Sequence, residues 1–523
     1  MHCWEVKWLK VTWLGLFLLF ITAEASAEVK LPKLISDNMV LQQGMKVRIW
    51  GTAAPAETVT VSFRDQKLSA EAGSAGQWQV YLTPMKAGGP DEMTVAGSNT
   101  IVLKDVLVGE VWVCSGQSNM EMPVGTNAYG WSWGVANFRD EIARADYPLL
   151  RMFTVQKAVA AKPQRDVTGD WVAASPRTVN DFSAAGYFFA RELLKALNVP
   201  VGMIHSSWGG SPVEAWTSRA VLDSLPEAKS YVDEREQALA KYPQQVEEFK
   251  RQYDDWLRAV EKAEAQGKLI PSAPRIPEDP RTGFWPAGLH NAMIAPLTPY
   301  AIRGAIWYQG ESNSVRAREY RKVFPALIQD WRREWGEGDF PFLFVQLANW
   351  ITPNPTLNWP ELCEAQLMTL SVPKTGMAVA IDIGDPYDIH PKNKQEVGRR
   401  LALGAEAIAY GRDVVYSGPI YESMAVEGNK IRLRFKHSDR GLVAKGAAGL
   451  KGFEVAGEDR KFFATEATIE RDSVVVRSAQ VARPVAVRYA WADNPTCNLY
   501  NKAGLPASPF RTDDWPSAVP GKK

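Results

Sequence analysis

The hydrophobic pattern divides the chain into two β-rich ends and a middle region of a different kind. Residues 28–105 contain short runs such as TVTVSF and QWQVYL, which glycine, proline and asparagine separate. Such runs are typical of β-strands joined by turns. The same pattern returns after residue 415, in runs such as KIRLRFKH and PVAVRYAWA. We therefore predict an N-terminal β-rich domain over 28–105 and a C-terminal β-rich domain of sandwich type over 416–523.

The middle region, residues 106–415, alternates apolar strands with longer amphipathic helices. The predicted strands beyond residue 120 are 149–155, 199–207, 302–309, 340–347 and 376–382. Because these runs are apolar at nearly every position, both faces of the sheet must be covered, which predicts a parallel sheet between two layers of helices. Ligands of such sheets bind at the carboxyl ends of the strands.

Residues 226–283 interrupt this alternation. Apolar residues recur there at a spacing that places them on one face of a helix: Val246, Phe249, Tyr253, Trp256 and Val260. Pro243 predicts a break between this helix and the amphipathic segment before it. We interpret 226–283 as a helical insertion near the ligand-binding edge, and its apolar stripe as a packing surface.

The N-terminus has the pattern of a secretory signal peptide. Lys7 and Lys10 precede an apolar run over 11–22, and the small residues Ala25-Ser26-Ala27 follow it. This order of charged, apolar and small residues predicts a signal peptide over 1–27. No later stretch approaches the roughly 20 apolar residues that a membrane span needs. We expect an exported protein, periplasmic or extracellular, without a membrane span in its mature form.

Charge and cysteine content exclude several functional classes. The 523 residues carry a formal net charge of +1, so the chain lacks the basic excess of proteins that bind nucleic acid or anionic membranes. Beyond the signal peptide the cysteines are Cys114, Cys363 and Cys497, too few and too far apart for a disulfide framework or a metal knuckle. Nothing in the sequence determines the oligomeric state.

A candidate nucleophile lies where the first strand of the middle region ends, in VWVCSGQSN (111–119). A strand that breaks into a tight glycine turn exposes the next side chain at the edge of the sheet, as in hydrolases with a nucleophilic serine. Ser118 occupies that position. Cys114 continues the apolar strand, and Ser115 precedes the glycine. Serine and asparagine are also common in turns without any catalytic role.

His390 is the best candidate for a general base. Three of the remaining histidines lie in a strand, after an apolar run or in the C-terminal β region: His205, His290 and His437. His390 instead follows a predicted parallel strand, in DIGDPYDIHPKNKQ, among three aspartates. A carboxylate beside an imidazole fixes its tautomer and stabilises the imidazolium. The alternative is a loop histidine that caps the next helix.

Two further stretches offer groups that stabilise an oxyanion. SSWGGSPVEAW (206–216) contains a Gly-Gly turn with free amides, and WYQGESN (307–313) carries polar side chains at a strand end. One well-placed donor of this kind contributes roughly 2.7–4 kcal/mol of transition-state stabilisation. Each stretch is also compatible with an ordinary polar loop.

Together these motifs resemble the SGNH-type esterases and, among them, the sialate O-acetylesterases. The resemblance extends along most of the mature chain, through SGQSNMEMP, SWGGSPVEAW, LHNAMIAPL, IRGAIWYQGESN, DIHPKNKQEVGRRLA and a late RYAWADNPTCNLYNKAGLPASPFRTDDWP. It implies a flavodoxin-like three-layer α/β/α domain with Ser118 as nucleophile and His390 as base. It also implies an oxyanion hole from the Ser118 and Gly210 amides and a side chain of QGESN, and neither a metal nor an organic cofactor.

The sequence departs from the broader SGNH pattern in two places. The position three residues before the histidine, an aspartate in that pattern, is Tyr387. We prefer Asp388 as the acid that orients His390, with Asp385, or no carboxylate at all, as the alternatives. The oxyanion asparagine of the pattern is also missing from its expected block; Gln309 is the first candidate to replace it and Asn313 the second.

The predicted function is removal of O-acetyl groups from sialic acids through an acyl-enzyme on Ser118. An acetylesterase acting on xylan or another polysaccharide has the same chemistry and is the first alternative. A glycan-binding protein with an inert central domain is the second, and the combination of Ser118, Gly210 and His390 argues against it.

Overall fold

A computed structural model describes residues 28–127, 130–281, 283–354, 356–438, 441–446 and 449–516. The predicted signal peptide, 1–27, lies outside the described residues. The strands of the N-terminal and central regions are β1 Val40–Gln42, β2 Val47–Thr52, β3 Thr58–Phe63, β4 Gln66–Glu71, β5 Gln77–Leu82, β6 Gly88–Ala96, β7 Thr100–Gly116, β8 Tyr147–Thr154, β9 Trp171–Ala174, β10 Val201–Ser207, β11 Gly304–Tyr308, β12 Phe342–Gln346 and β13 Thr375–Val379.

The α-helices are α1 Ser118–Glu121, α2 Phe138–Ala143, α3 Ala184–Leu197, α4 Arg219–Ser224, α5 Lys229–Ala265, α6 Ala317–Trp335, α7 Trp359–Met368 and α8 Lys394–Ile408. The C-terminal strands are β14 Ile420–Glu427, β15 Lys430–Lys436, β16 Leu442–Ala444, β17 Phe453–Ala456, β18 Phe462–Ala464, β19 Glu466–Glu470, β20 Ser473–Arg477, β21 Ala486–Tyr489, β22 Leu499–Asn501 and β23 Phe510–Arg511.

The central sheet has the mixed α/β architecture that the sequence predicts. Its strand order is β13-β12-β11-β7-β10-β8-β9. All neighbouring pairs are parallel except β8 and β9. The carboxyl ends of β7, β10, β11 and β13 therefore lie along one edge, where the candidate site residues follow them.

Helices cover both faces of this sheet. Trp112 of β7 packs edge-on against Phe189 of α3, with ring centroids 5.0 Å apart. Trp307 of β11, whose partner on β7 is Ser115, lies 6.1 Å from Phe324 of α6. Since side chains alternate along a strand, positions three apart point to opposite faces. Helices α3 and α6 therefore lie on opposite faces, and the predicted layers of helices on both sides of the sheet are present.

Strand β7 is shared between the N-terminal β region and the central sheet. Its first half pairs with β6 and β1, and from Glu110 onward it pairs with β10. The predicted domain boundary at 105/106 thus falls inside one continuous strand. At Gly109, where the strand passes between the two sheets, an added Cβ would lie 2.0 Å from the carbonyl oxygen of Pro200.

The insertion differs from its prediction in two respects. Helix α5 runs from Lys229 to Ala265 without a break, with Pro243 inside it. A proline removes one backbone donor, and here the helix continues past that loss. None of the five stripe residues is buried; Trp256 Nε1 donates to the Pro271 carbonyl at 2.8 Å, so the stripe packs in part on the returning segment.

The C-terminal region builds a hydrophobic core of its own. Two four-stranded sheets, β14-β15-β20-β19 and β18-β17-β21-β23, enclose a cluster that includes Leu433, Val474, Val487 and Phe510. The side chain of Arg511 pairs with Glu364 of α7 at 2.8 Å and ties this region to the central domain.

The structure also describes the three cysteines and the character of the helices. Cys114, Cys363 and Cys497 are all free thiols, the first two of them buried. Within the described ranges, no helix has the length and apolarity needed to cross a membrane.

The close passage at Gly109 generates a stability prediction. In Gly109→Ala the new methyl group must displace the Pro200 carbonyl, so we expect a loss of stability of about 2 kcal/mol or more. Gly73→Ala is the matched control, because its added Cβ would meet nothing closer than 3.8 Å. Chemical denaturation of both variants measures the difference. Equal midpoints for the two variants would show that β7 does not constrain the junction in this way.

Candidate active site

Ser118 lies at the carboxyl end of β7, directly after a turn that only glycine fits. Gly116 has a φ of +138°, and an added Cβ would lie 2.1 Å from the carbonyl oxygen of Tyr308. The same carbonyl accepts the Gln117 amide at 3.0 Å. The turn is therefore fastened to β11, and Ser118 opens α1 as a half-buried residue.

Asn119 connects this turn to the loop that carries His390. Its Nδ2 donates to the Ile389 carbonyl at 3.0 Å and to Glu311 Oε1 at 2.6 Å. Its Oδ1 accepts from Lys394 Nζ at 2.8 Å. The residue after Ser118 is thus hydrogen-bonded to the residue before His390, which brings the two candidate catalytic residues together.

The imidazole of His390 has one free nitrogen and one nitrogen that faces a carboxylate. Its Nε2 is buried and has no hydrogen-bond partner among the described residues. Its Nδ1 lies 3.6 Å from Asp388 Oδ1. Trp131 packs edge-on against the ring, with centroids 5.0 Å apart. A neutral imidazole held in this way can accept a proton through Nε2.

The three aspartates before His390 have different partners. Asp388 Oδ1 accepts the His390 amide at 2.9 Å and is also the carboxylate oxygen near Nδ1. Asp385 accepts the Tyr387 amide at 2.9 Å. Asp382 is held by Arg400 at 2.6 Å and by Tyr500 at 3.0 Å. Asp388 is therefore the carboxylate that the fold places at the imidazole.

Burial and one neighbouring cation keep His390 neutral. Burial lowers its pKa to about 4, and the positive charge of Lys394 acts in the same direction, whereas Asp388 opposes both. Lys394 is itself inaccessible to solvent, and burial lowers its pKa to about 7 against the opposing charge of Glu311. Burial raises the pKa of Glu311. His390 is therefore unprotonated at neutral pH, which is the state in which an imidazole can accept a proton.

The Gly209-Gly210 turn lies beside Ser118 and presents a free amide. An added Cβ on Gly209 would lie 3.2 Å from the Cβ of Ser118, and the Gly209 amide is held by Glu121. Gly210 has a φ of +77°, and its carbonyl accepts from Ser312 Oγ at 2.8 Å. No hydrogen bond among the described residues uses the amides of Ser118 and Gly210.

Gln309 is placed differently from its predicted role. It is fully buried, and its Nε2 donates to the Ser211 carbonyl at 3.2 Å and to Asn313 Oδ1 at 2.7 Å. Both amide hydrogens are thus engaged, and Oε1 accepts from Tyr320 at 2.9 Å. The side chain has no hydrogen left for an oxyanion, because it fastens the loop after the Gly-Gly turn.

Asn313, the second candidate, belongs to the same scaffold. Its Oδ1 accepts the Val213 amide at 2.9 Å and its Nδ2 donates to Glu214 at 3.0 Å. The QGESN stretch as a whole supports the Gly209-Gly210 loop and the turn before Ser118. The amides of Ser118 and Gly210 remain the free donors of the site.

Sequence reasoning missed Asn119, Lys394 and a second serine–histidine pair. His205 Nε2 lies 2.6 Å from Ser207 Oγ on β10, but both residues are at most 5% exposed, so no substrate reaches them. Lys394 lies in a polar stretch of the sequence, four residues after His390, and that stretch gave no sign of its burial. The motifs GQSN and DIHPKNK (388–394) indicate a role for Asn119 and Lys394 in the site only if the contact between the two loops is already known.

Three other residues come close enough together to hold a metal ion: His290, Asp330 and Glu334 lie within 4.8 Å of one another. Their ligand atoms already have partners. His290 Nε2 bonds to Glu334 at 2.8 Å, and Asp330 accepts both the amide and the hydroxyl of Ser218. Protein contacts alone therefore account for the positions of these three side chains.

The electrostatics of the site predict an unusual titration of His390. Its imidazole should become protonated only as the pH falls toward 4, well below the value of about 6.5 for an exposed histidine. Lys394→Met removes the positive charge and should move the midpoint upward. Ring resonances of His390, assigned with His390→Gln and followed by NMR over the pH range in which the protein stays folded, measure this. A midpoint at or above 6.5 in the wild type would contradict it.

Comparison with known proteins relates this geometry to one family. Residues 287–406 match a family model described as "Carbohydrate esterase, sialic acid-specific acetylesterase". The sialate O-acetylesterase of Rattus norvegicus is 32% identical over 95% of this chain and 97% of its own length. That of Homo sapiens is 32% identical over 95% of each.

A solved structure agrees with these relatives. The crystal structure of a carbohydrate acetylesterase from Xanthomonas citri is 38% identical, has a TM-score of 0.78, and covers 93% of this chain and all of its own. The shared sequence and fold extend from the N-terminal β region to the C-terminal strands. The chain is a carbohydrate esterase and belongs to the sialate O-acetylesterase family.

Proposed function

We propose that the protein removes O-acetyl groups from sialic acids by a serine–histidine acyl-enzyme mechanism. One observation carries the proposal: Asn119 ties the turn that presents Ser118 to the loop that presents a buried, unpartnered His390 Nε2. A nucleophile and a base held on two fixed loops, with free amides beside them, form the arrangement that acyl transfer requires.

In the proposed reaction, His390 Nε2 accepts the proton of Ser118 Oγ while the oxygen attacks the acetyl carbonyl. The tetrahedral oxyanion then accepts hydrogen bonds from the amides of Ser118 and Gly210. His390 returns its proton to the sugar oxygen, which leaves as a hydroxyl. Water, deprotonated by the same imidazole, hydrolyses the acetyl-enzyme and regenerates Ser118.

Asp388 is the proposed orienting acid. Its Oδ1 accepts the His390 backbone amide and lies 3.6 Å from Nδ1, and we propose that this separation closes to a hydrogen bond during the reaction. Such a bond selects the tautomer with a free Nε2 lone pair and stabilises the imidazolium formed in the first step.

The substrate class rests on the relatives, and the remaining parts of the proposal rest on the sequence and on the sheet topology. The curated relatives are named sialate O-acetylesterases, and an acetylated sialic acid is accordingly the proposed substrate. The strand order and the site at the strand ends support an SGNH-type central domain. We also propose export through the signal peptide over 1–27, and sandwich-type folds for the two β regions that flank the center.

Variants of the two central residues test the mechanism. Ser118→Ala removes the nucleophile and His390→Ala removes the base, so each should lower kcat by about 10³-fold or more. Hydrolysis of 4-nitrophenyl acetate and of O-acetylated sialic acid measures the loss, with circular dichroism as the check on folding. A folded variant of either kind with near-normal turnover would refute the assignment.

The two nearby aspartates provide a matched pair for the orienting acid. Asp388→Asn should lower kcat by about 10²-fold or more, because the amide cannot stabilise the imidazolium. Asp385→Asn, which changes the same group in the same loop, should stay close to the wild type. If Asp385→Asn were the less active of the two variants, Asp385 would be the orienting acid. Two equally active variants would indicate a serine–histidine dyad.

A further inference from the structure

The late motif RYAWADNPTCNLY (488–500) belongs to the C-terminal β region, but its contacts extend beyond that region. It runs from the end of β21 to β22, and Leu499 is fully buried in the C-terminal core. Three of its residues also form hydrogen bonds with the central domain: Asp493, Asn494 and Tyr500. These bonds lead to the loop that carries His390.

Asp493 and Asn494 contact a segment of the central domain that follows β12. The Trp350 amide donates to the Asp493 carbonyl at 3.0 Å, and Asn349 Nδ2 donates to Asn494 Oδ1 at 2.6 Å. Thr352 Oγ1 also donates to the Asp493 carboxylate. Three hydrogen bonds therefore hold this segment against the C-terminal region.

The same segment, residues 349–352, is bonded to the loop that leads from β13 to the catalytic imidazole. Asn349 Oδ1 accepts the Gly384 amide at 3.0 Å, and the Ile351 amide donates to the Pro386 carbonyl at 3.0 Å. Because the Gly384 amide can only donate, Oδ1 of Asn349 must face it, which directs Nδ2 away from this loop. The acceptor for Nδ2 is the side chain of the C-terminal region described above.

Tyr500 contacts the start of this loop directly. Its hydroxyl donates to Asp382 Oδ2 at 3.0 Å, and Arg400 of α8 binds both carboxylate oxygens, at 2.6 and 2.9 Å. Tyr500 is 5% exposed, and it pairs with Val443 across β16 and β22. Asp382 is therefore held both by a helix of the central domain and by a strand of the C-terminal region.

The turn from Asp385 to His390 is closed by local hydrogen bonds. The Asp388 amide donates to the Asp385 carbonyl at 3.3 Å, and the His390 amide donates to Asp388 Oδ1 at 2.9 Å. Bonds between residues two or three apart fix the shape of a turn, and its position depends on the contacts at its two ends. Asn119 supplies the contact at the far end, through the Ile389 carbonyl.

We infer that Asn494 and Tyr500 of the C-terminal β region are positioning residues for His390. They act through the segment 349–352 and through Asp382, which together hold the start of the loop. A displacement of about 1 Å at a reacting group can lower a rate by about 10²-fold, so contacts with the start of the loop affect turnover. The inference rests on the proposed function, in which His390 is the base.

Two conservative variants test these contacts. Asn494→Leu removes the acceptor for Asn349, and Tyr500→Phe removes only the hydroxyl that binds Asp382. Each should lower kcat on O-acetylated sialic acid about tenfold or more and leave KM unchanged, because the lost contacts align the base and do not bind the substrate. Circular dichroism checks that both variants fold.

Two further variants are matched to these. Asn494→Asp keeps an acceptor oxygen for Asn349 and should recover most of the kcat that Asn494→Leu loses. Tyr421→Phe makes the same change as Tyr500→Phe on a ring that stacks on Phe510 at the C-terminal core, and it should keep the wild-type kcat. Equal kcat values within either matched pair would overturn the inference.

A double-variant cycle separates positioning from a general structural effect. If Tyr500 acts through His390, then Tyr500→Phe should not lower the residual activity of His390→Ala on 4-nitrophenyl acetate any further. A further loss of about tenfold in that background would show that Tyr500 supports the site by another route, and it would overturn the inference.

Hydrogen exchange followed by peptide mass spectrometry gives a readout that does not depend on catalysis. Asn494→Leu and Tyr500→Phe should speed the exchange of amides in 383–390, and Tyr421→Phe should not; unchanged exchange in both would overturn the inference. Full activity of a folded His390→Ala variant would refute the proposed function and leave the exchange result standing. Loss of activity in His390→Ala, with wild-type kcat in both positioning variants, would remove only this inference.

Discussion

The bond between Asn119 and the Ile389 carbonyl is the contact on which the site depends. Ser118 and His390 are 272 residues apart in the chain, on strands that are not neighbours in the sheet. The parallel strands bring both loops to one edge, but their shared edge alone does not fix how the two loops contact each other. Asn119 fixes this contact by bonding to the loop of His390, to Glu311 and to Lys394 at once.

This arrangement places a buried cation and a buried carboxylate behind the reacting groups. An isolated buried charge costs several kcal/mol, which hydrogen bonds and an opposite charge must offset. Lys394 donates to Asn119 and to the Pro391 carbonyl at 2.7 Å, and Asn119 separates it from Glu311. The same positive charge helps to keep His390 unprotonated. Lys394 therefore helps to order the two loops and also lowers the pKa of His390.

Much of this organisation could be predicted from periodicity and strand ends. The apolar runs identify the central strands, as the run over 302–309 does for β11. Ser118 and His390 follow from the rule that side chains at the carboxyl ends of parallel strands converge. The predictions that differ from the structure have two causes, local hydrogen bonds within a helix and contacts between distant segments. Pro243 lies inside a helix whose other hydrogen bonds hold it together, and β7 crosses the predicted domain boundary. Gln309 looks like a free donor until its hydrogen bonds with Ser211, Asn313 and Tyr320 are known.

The central claim is that Ser118 is the nucleophile that His390 activates. Reaction of the folded protein with a fluorophosphonate, followed by peptide mass spectrometry, tests it most directly. The account predicts one adduct, on Ser118, that His390→Ala largely abolishes. An adduct on Ser115 or Ser207 instead, or labelling of Ser118 at an unchanged rate in His390→Ala, would contradict it.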